Sequence, residues 1–201
     1  MGFNALVLQV LIASPSDVQE ERNTIPEVIY KWNALNAEHE EVVLLPVKWE
    51  THSLSEYRGE DTQEILNEQF VRKSDILVGA LWTKIGTRTV KSDSGTVEEI
   101  EEFIKTQKPV KLYISARGLP NDVDLEELQR LREFKTKYQT QGIYKEYKSL
   151  ENLNELLLDD LTREVRRYKS KILSIKSNGN QENENIIENP RESINEIEKK
   201  N

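Results

Sequence analysis

Apolar stretches alternate with segments of helical spacing along most of the chain. Five of the apolar stretches predict strands, at residues 6–13, 42–47, 76–81, 109–114 and 143–147. The first three carry no charged residue, as is typical of strands buried on both faces of a parallel sheet. Pro46 places the second strand at an edge of the sheet or near its own end, because proline cannot donate a ladder hydrogen bond.

Each predicted strand is followed by a segment in which apolar residues recur at helical spacing. The predicted helices cover residues 16–37, 62–73, 97–104 and 125–138, and a fifth begins at 149. Ser16 and Gln19 form a capping-box pattern at the start of the first helix. Pro26 should kink or divide that helix, because it lacks the N–H that an internal turn requires.

Five strand–helix units in succession predict an α/β fold. We expect a doubly wound, mainly parallel sheet of five strands in the order 2-1-3-4-5, of flavodoxin-like type. Residues 1–173 are predicted to form this domain. Residues 174–201 are rich in Asn, Glu, Lys and Ser with isolated isoleucines, so we predict a disordered or weakly helical tail.

The predicted strand order locates a candidate site. Open parallel sheets bind ligands beyond the carboxyl ends of their strands, where the strand order reverses, and here that point lies between strands one and three. The loop after strand one contains Ser14, Ser16 and Asp17, whose hydroxyls and nearby helix-start amides suit phosphate or ribose hydroxyls. In the loop after strand three, Trp82 could stack on a base or nicotinamide. Ser16 and Asp17 could equally be helix caps, and Trp82 could cover the sheet edge.

The helix after strand three carries the candidate catalytic group. Its apolar stripe consists of Val97, Ile100, Phe103 and Ile104. On a helical wheel, Glu98 and Glu102 point away from this stripe, whereas Glu99 lies at its edge and in the first predicted turn. The positive end of the helix dipole favours a carboxylate there, which makes Glu99 the preferred catalytic residue. The same dipole effect makes acidic first turns common in helices without any catalytic role.

Composition narrows the classes of function. The chain has no cysteine and two histidines, which excludes thiolate metal sites and leaves little material for a histidine-based metal site or triad. A net charge of -8 argues against a nucleic-acid binder. No apolar run approaches a membrane span and no secretory signal is visible, so we expect a cytoplasmic protein without membrane contact.

The sequence resembles two protein families. The stretch from Ser94 and Gly95 to Ile100 resembles the Ser-Gly-Thr-x-x-Glu motif of nucleoside 2-deoxyribosyltransferases, whose glutamate, at the position of Glu99, is the nucleophile that takes the sugar. Residues 6–147 are also similar to an uncharacterised bacterial family related to these transferases and to TIR domains. That similarity rests on three segments, residues 14–22, 45–52 and 74–79.

The resemblances imply cleavage of an N-glycosidic bond. Members of the bacterial family occur alone or fused to signalling ATPases, and many related proteins are NAD-cleaving effectors of antiviral defence. An adjacent carboxylate can stabilise or trap the oxocarbenium-like sugar, and water then completes hydrolysis without a metal or cofactor. The first hypothesis is therefore a nucleotide or NAD glycohydrolase, with Glu99 central and a pocket of Ser14, Ser16, Asp17, Trp82, Ser94 and Gly95. NAD enters as substrate, and a second copy of the chain or a signalling protein is the expected partner.

Two alternatives come from other classes of function. A non-catalytic nucleotide-sensing or adaptor module would keep the cleft and recruit a partner through its acidic helices or tail. A phosphoacceptor receiver-like domain would share the topology, but it requires an acidic cluster at the ends of strands one and three. Trp82 stands where such a domain needs a strand-end aspartate, which argues against this third hypothesis.

Overall fold

The computed structural model describes residues 2–52, 62–86 and 94–179. Five strands form one parallel sheet in the order β2-β1-β3-β4-β5, which confirms the predicted fold class. The strands are β1 (Leu6–Ala13), β2 (Val42–Val47), β3 (Ile76–Leu81), β4 (Val110–Ser115) and β5 (Lys145–Tyr147). The first three have the predicted bounds, because charged or turn-forming residues flank each apolar run. Pro46 is the penultimate residue of an edge strand, as predicted.

Six helices connect or flank the strands in the described residues. They are α1 (Gln19–Glu40), α2 (Trp49–His52), α3 (Thr62–Leu66), α4 (Gly95–Lys105), α5 (Leu125–Gln139) and α6 (Leu150–Gly179). A single π-helical turn, Asn67–Val71, continues α3. The helix predicted for residues 62–73 is therefore present but changes its hydrogen-bonding pattern halfway. Ser149 caps α6, since its hydroxyl accepts a hydrogen bond from the backbone N–H of Asn152 at 3.2 Å.

One prediction for the first helix is wrong, and the division considered at Pro26 is absent. Ser16 is an exposed residue in a short 3-10 turn, Ser16–Val18, and no side chain caps α1 in the described part of the chain. The capping-box pattern fails because the 3-10 turn moves the start of α1 to Gln19. Pro26 does not divide α1, which runs unbroken for 22 residues. The helix tolerates this proline because Ile25, Ile29 and Trp32, on its inner face, are fully buried and hold it in place.

One face of the sheet packs against α4 and α5. Strand residues with the same orientation, among them Leu11, Leu77, Leu81, Leu112 and Ile114, join the inner faces of these helices in one apolar cluster. The helices contribute Val97, Ile100 and Phe103 from α4 and Leu128, Leu131 and Phe134 from α5. The core therefore fixes α4 against the central strands and with it the orientation of the acidic residues at its start.

The outer edge of β2 is blocked by a side chain. The Asn33 amide of α1 donates to the carbonyl oxygen of Leu44 at 2.7 Å and accepts from the Leu44 N–H at 2.8 Å. Asn33 thus takes the position of a neighbouring strand at this residue. Exposed strand edges invite pairing with other chains, and this contact covers part of one.

The C-terminal end of the chain differs in part from expectation. Backbone contacts divide the chain into two units, residues 1–158 and 159–201, and α6 continues to Gly179. The predicted tail from residue 174 is thus helical over its first six residues, and residues 180–201 lie outside the described part. The boundary predicted at residue 173 remains a prediction. Within the described residues, no helix is both long and apolar enough to cross a membrane.

Candidate functional site

The turns after β1 and β3 are tied together by one carboxylate. Asp17 Oδ2 accepts hydrogen bonds from the Thr83 backbone N–H and hydroxyl, both at 2.8 Å, and from the Lys84 N–H at 3.2 Å. Asp17 belongs to the turn after β1, and the other two residues follow β3. The predicted pairing of these two turns at the point of strand reversal is therefore present, and Asp17 is the residue that joins them.

The start of α4 lies beside the same two turns. Gly86 adopts φ +102°, and a Cβ built there would lie 3.5 Å from Ser94 Cβ and 3.7 Å from Pro15 Cβ. Ser94 is fully buried and caps α4, because its hydroxyl accepts from the Val97 N–H at 3.0 Å. Gly95 is the first residue of α4. The predicted loop connecting β3 to this helix falls partly at residues 87–93, outside the described residues.

Glu99 is buried at this junction. The residue is only 9% exposed. It lies in the second turn of α4 and not in the first, because the helix begins two residues earlier than predicted. Arg22 of α1 is a cation that interacts electrostatically with Glu99. Burial lowers the pKa of the Arg22 guanidinium from its usual value, and the negative charge of Glu99 opposes that shift. Glu99 is thus a shielded carboxylate that interacts with a cation of α1, on a helix that begins beside the turns after β1 and β3.

Glu98 is buried, although on the helical wheel it points away from the apolar stripe. It is 9% exposed, and its Oε1 accepts a hydrogen bond from the Asn67 side-chain amide at 2.9 Å. The π-helical turn packs against α4 and brings Asn67 to it, a long-range contact that a helical wheel cannot show. A polar cavity of about 240 Å³ adjoins this pair and is lined by Glu64, Asn67, Arg72, Glu98, Glu101, Glu102 and Lys105. Glu99 does not line this cavity.

Trp82 already carries a cation on its ring. The Arg117 guanidinium, which follows β4, lies over the indole with its central carbon 4.5 Å from the ring centroid. Arg117 Nε also donates to the Ser115 hydroxyl at 2.9 Å, which fixes the plane of the guanidinium. One face of Trp82 is therefore covered, so a base could stack on that face only after Arg117 moved.

A buried carboxylate anchors this arginine. Glu21 of α1 is 1% exposed, and its Oε1 accepts from Arg117 Nη2 at 2.5 Å and from the Tyr147 hydroxyl at 2.8 Å. Burial, together with the hydrogen bond and negative charge of Glu21, raises the pKa of the Tyr147 phenol well above its ordinary value. This network, which we call the Glu21 network (Glu21, Arg117 and Tyr147), links α1, β5 and the residues after β4.

The raised pKa of Tyr147 predicts a loss of stability at alkaline pH. Above about pH 10 an unfolded tyrosine releases its proton, whereas the folded protein holds the proton of Tyr147. The unfolded state then binds fewer protons, so the free energy of unfolding falls as pH rises, by about 1.4 kcal/mol per pH unit for this residue. We expect Tyr147→Phe to reduce that slope, measured by urea unfolding between pH 8 and 11. The exposed Tyr30→Phe is the control, and an equal effect of both variants would contradict the assignment.

The structure brings some of the predicted site residues together and leaves others apart. Asp17, Trp82, Ser94 and Gly95 meet around the ends of β1 and β3, and Ser14 is buried at the end of β1. Ser16 is exposed in the 3-10 turn. Sequence reasoning missed Arg22, Glu21 and Arg117. Arg22 could have been found, because it lies in the first turn of α1, five positions after Asp17. The contact between Glu21 and Arg117, in contrast, joins residues 96 positions apart.

Comparisons with known proteins identify a family and a set of similar folds. Residues 9–162 match the family model described as "Domain of unknown function (DUF4062)". No curated protein matches the sequence. The flavodiiron protein from Giardia intestinalis is 14% identical with a TM-score of 0.41, and the match covers 82% of this chain and 37% of that one.

Two flavodoxins are similar to the same extent. A short-chain flavodoxin associated with a non-canonical PDU bacterial microcompartment is 13% identical with a TM-score of 0.40. The Streptococcus pneumonia TIGR4 flavodoxin is 12% identical with a TM-score of 0.38. Each of the two matches covers 80% of this chain and 99% of the flavodoxin.

Proposed function

Because this chain belongs to the DUF4062 family, whose description assigns no activity, we propose a function from the site itself: cleavage of the N-glycosidic bond of a nucleotide. NAD hydrolysis with release of nicotinamide is the leading case, in a bacterial signalling or antiviral-defence setting. The observation that carries the proposal is the burial of Glu99, a carboxylate only 9% exposed on the helix that begins beside the turns after β1 and β3. The resemblance of residues 94–100 to the deoxyribosyltransferase motif and the relation to TIR enzymes support the same residue.

The proposed chemistry needs one carboxylate. As the bond between C1′ of the ribose and the nicotinamide nitrogen breaks, its electron pair leaves with neutral nicotinamide and the sugar becomes oxocarbenium-like. The Glu99 carboxylate stabilises that positive charge or bonds to C1′ as an ester. Water then adds to C1′, which yields the free ribosyl product, one proton and the regenerated carboxylate. Arg22 supplies a neighbouring positive charge that orients Glu99.

Glu99→Gln is expected to lower nicotinamide release by about 10²- to 10³-fold, because the neutral amide cannot stabilise the developing charge. Release from NAD by the full chain is measured by chromatography. Glu98→Gln is a closely matched control, since Glu98 is adjacent, equally buried and part of the separate polar cavity. We expect it to retain wild-type turnover. Equal losses in both variants, or unchanged turnover in Glu99→Gln, would contradict the role of Glu99.

A second function is favoured by one specific observation. Arg22 is an electrostatic neighbour of Glu99, and a carboxylate held by an arginine can serve as a structural ion pair. In a non-catalytic nucleotide-sensing or adaptor module, Glu99 would have this structural role and the nucleotide would bind without being cleaved. Bound nucleotide that stays intact, with an affinity that Glu99→Gln does not change, would support the module over the enzyme.

A further inference from the structure

Three buried polar atoms at the ends of β1 and β3 have no hydrogen-bond partner among the described residues. They are Ser14 Oγ, Asp17 Oδ1 and Trp82 Nε1. Ser14 is 8% exposed. Native proteins leave few buried polar atoms unpaired, because each costs about 1–3 kcal/mol of stability. A concentration of them where parallel sheets bind ligands points to groups that a ligand satisfies.

The types of atom restrict the chemistry of that ligand. The Asp17 carboxylate uses one oxygen for all three of its contacts with the turn after β3, so Oδ1 remains as an acceptor. The indole N–H of Trp82 can only donate, and the hydroxyl of Ser14 can do both. A hydroxyl group donates and accepts, so it matches this set. A phosphate offers acceptors to Asp17 and would be repelled by its charge.

We infer that Asp17 binds the 2′-hydroxyl of a ribose, so that the site takes ribosides in preference to 2′-deoxyribosides. The inference rests on the proposed function, which requires a sugar at this place. Gly86 brings Pro15, in the turn before Asp17, next to Ser94 at the start of α4. A sugar held by Asp17 is thus adjacent to the helix that carries Glu99. Sugars lacking the 2′-hydroxyl leave Oδ1 unpaired and bind more weakly.

The test compares the affinities of AMP and dAMP by isothermal titration calorimetry with the full chain. We expect the wild type to prefer AMP by about 10-fold or more, because a hydrogen bond to a charged acceptor is lost with dAMP. In Asp17→Asn the amide oxygen can keep the contacts with Thr83 and Lys84, while the nitrogen replaces Oδ1 by a donor. The amide nitrogen can still donate to the hydroxyl, but the charged acceptor is lost, so the AMP to dAMP preference should fall to about 3-fold or less.

Thr83→Val is the matched control. It removes one of the contacts to Oδ2 and leaves Oδ1 unchanged. We expect the loosened turn to lower the affinity for both nucleotides while the AMP preference persists. Equal affinity for AMP and dAMP in the wild type would overturn the inference, as would a preference that is undiminished in Asp17→Asn. Nicotinamide release that depends on Glu99 can still occur in both of these cases, so the proposed function is judged separately. Absence of binding by either nucleotide would overturn the inference as well.

Discussion

Replacement of Glu21 by alanine is expected to lower the free energy of unfolding by about 3 kcal/mol, because it leaves a largely buried cation without its counter-charge. Glu21 is 1% exposed and accepts hydrogen bonds from Arg117 and Tyr147. Without it, the Tyr147 hydroxyl also loses its acceptor inside the protein. Arg117 is 27% exposed at its side chain, so water reaches the guanidinium in part and keeps the loss near the low end of the range for buried pairs.

Urea unfolding followed by circular dichroism measures this loss. Glu20→Ala is the matched control, because Glu20 is the adjacent carboxylate and lies 3.8 Å from the same guanidinium but is 72% exposed. Exposed ion pairs contribute about 0–1 kcal/mol, so this variant should unfold close to the wild type. A Glu21→Ala protein that loses less than Glu20→Ala would show that the Glu21 network does not stabilise the fold.

Phe103→Ala should destabilise the protein by about 3–5 kcal/mol, the cost of removing a buried aromatic ring and leaving a cavity. Phe103 is fully buried in the apolar cluster between the sheet, α4 and α5. It lies one turn after Glu99 on the same helix. Its loss should therefore loosen α4 and lower any Glu99-dependent turnover even at temperatures where the variant remains folded.

The same unfolding measurement with Phe103→Leu provides the comparison. Leucine keeps much of the apolar volume, so we expect a loss of about 1–1.5 kcal/mol. The order of the two variants is the informative result. Equal losses would mean that the core around position 103 collapses into the space left by the ring and that the ring does not hold α4 in place.

Strand order and the bounds of the first three strands could be predicted from the sequence because the apolar runs are strong local patterns, whereas β5 begins two residues later than predicted. The uncharged runs of β1, β2 and β3 end at charged or turn-forming residues, and their parallel arrangement requires the connecting helices. The start of a helix, and so the turn in which a residue lies, is harder to predict. The start of α4 was placed two residues late because Ser94 was not recognised as its cap, and Glu99 consequently moved to the second turn.

The candidate site could be predicted only in outline. The pairing of the turns after β1 and β3 followed from the strand order, and Asp17 was identified as one of its residues. The roles of neighbours depend on contacts between distant positions, which no periodicity reveals. Arg117 covers Trp82 and Asn67 binds Glu98 because particular side chains happen to reach across elements. Burial of Glu98 was missed for the same reason.

The Asn33 contact on β2 limits how this domain can assemble with other chains. Backbone groups along a strand point alternately to either side, so Pro46 shares the outer edge with Leu44. Proline has no N–H to offer a neighbouring strand. Asn33 engages both backbone groups of Leu44. The opposite border of the sheet is β5, a strand of three residues. Filaments built by continuing one sheet from molecule to molecule are thus disfavoured, and self-association is expected to use side chains on the helices.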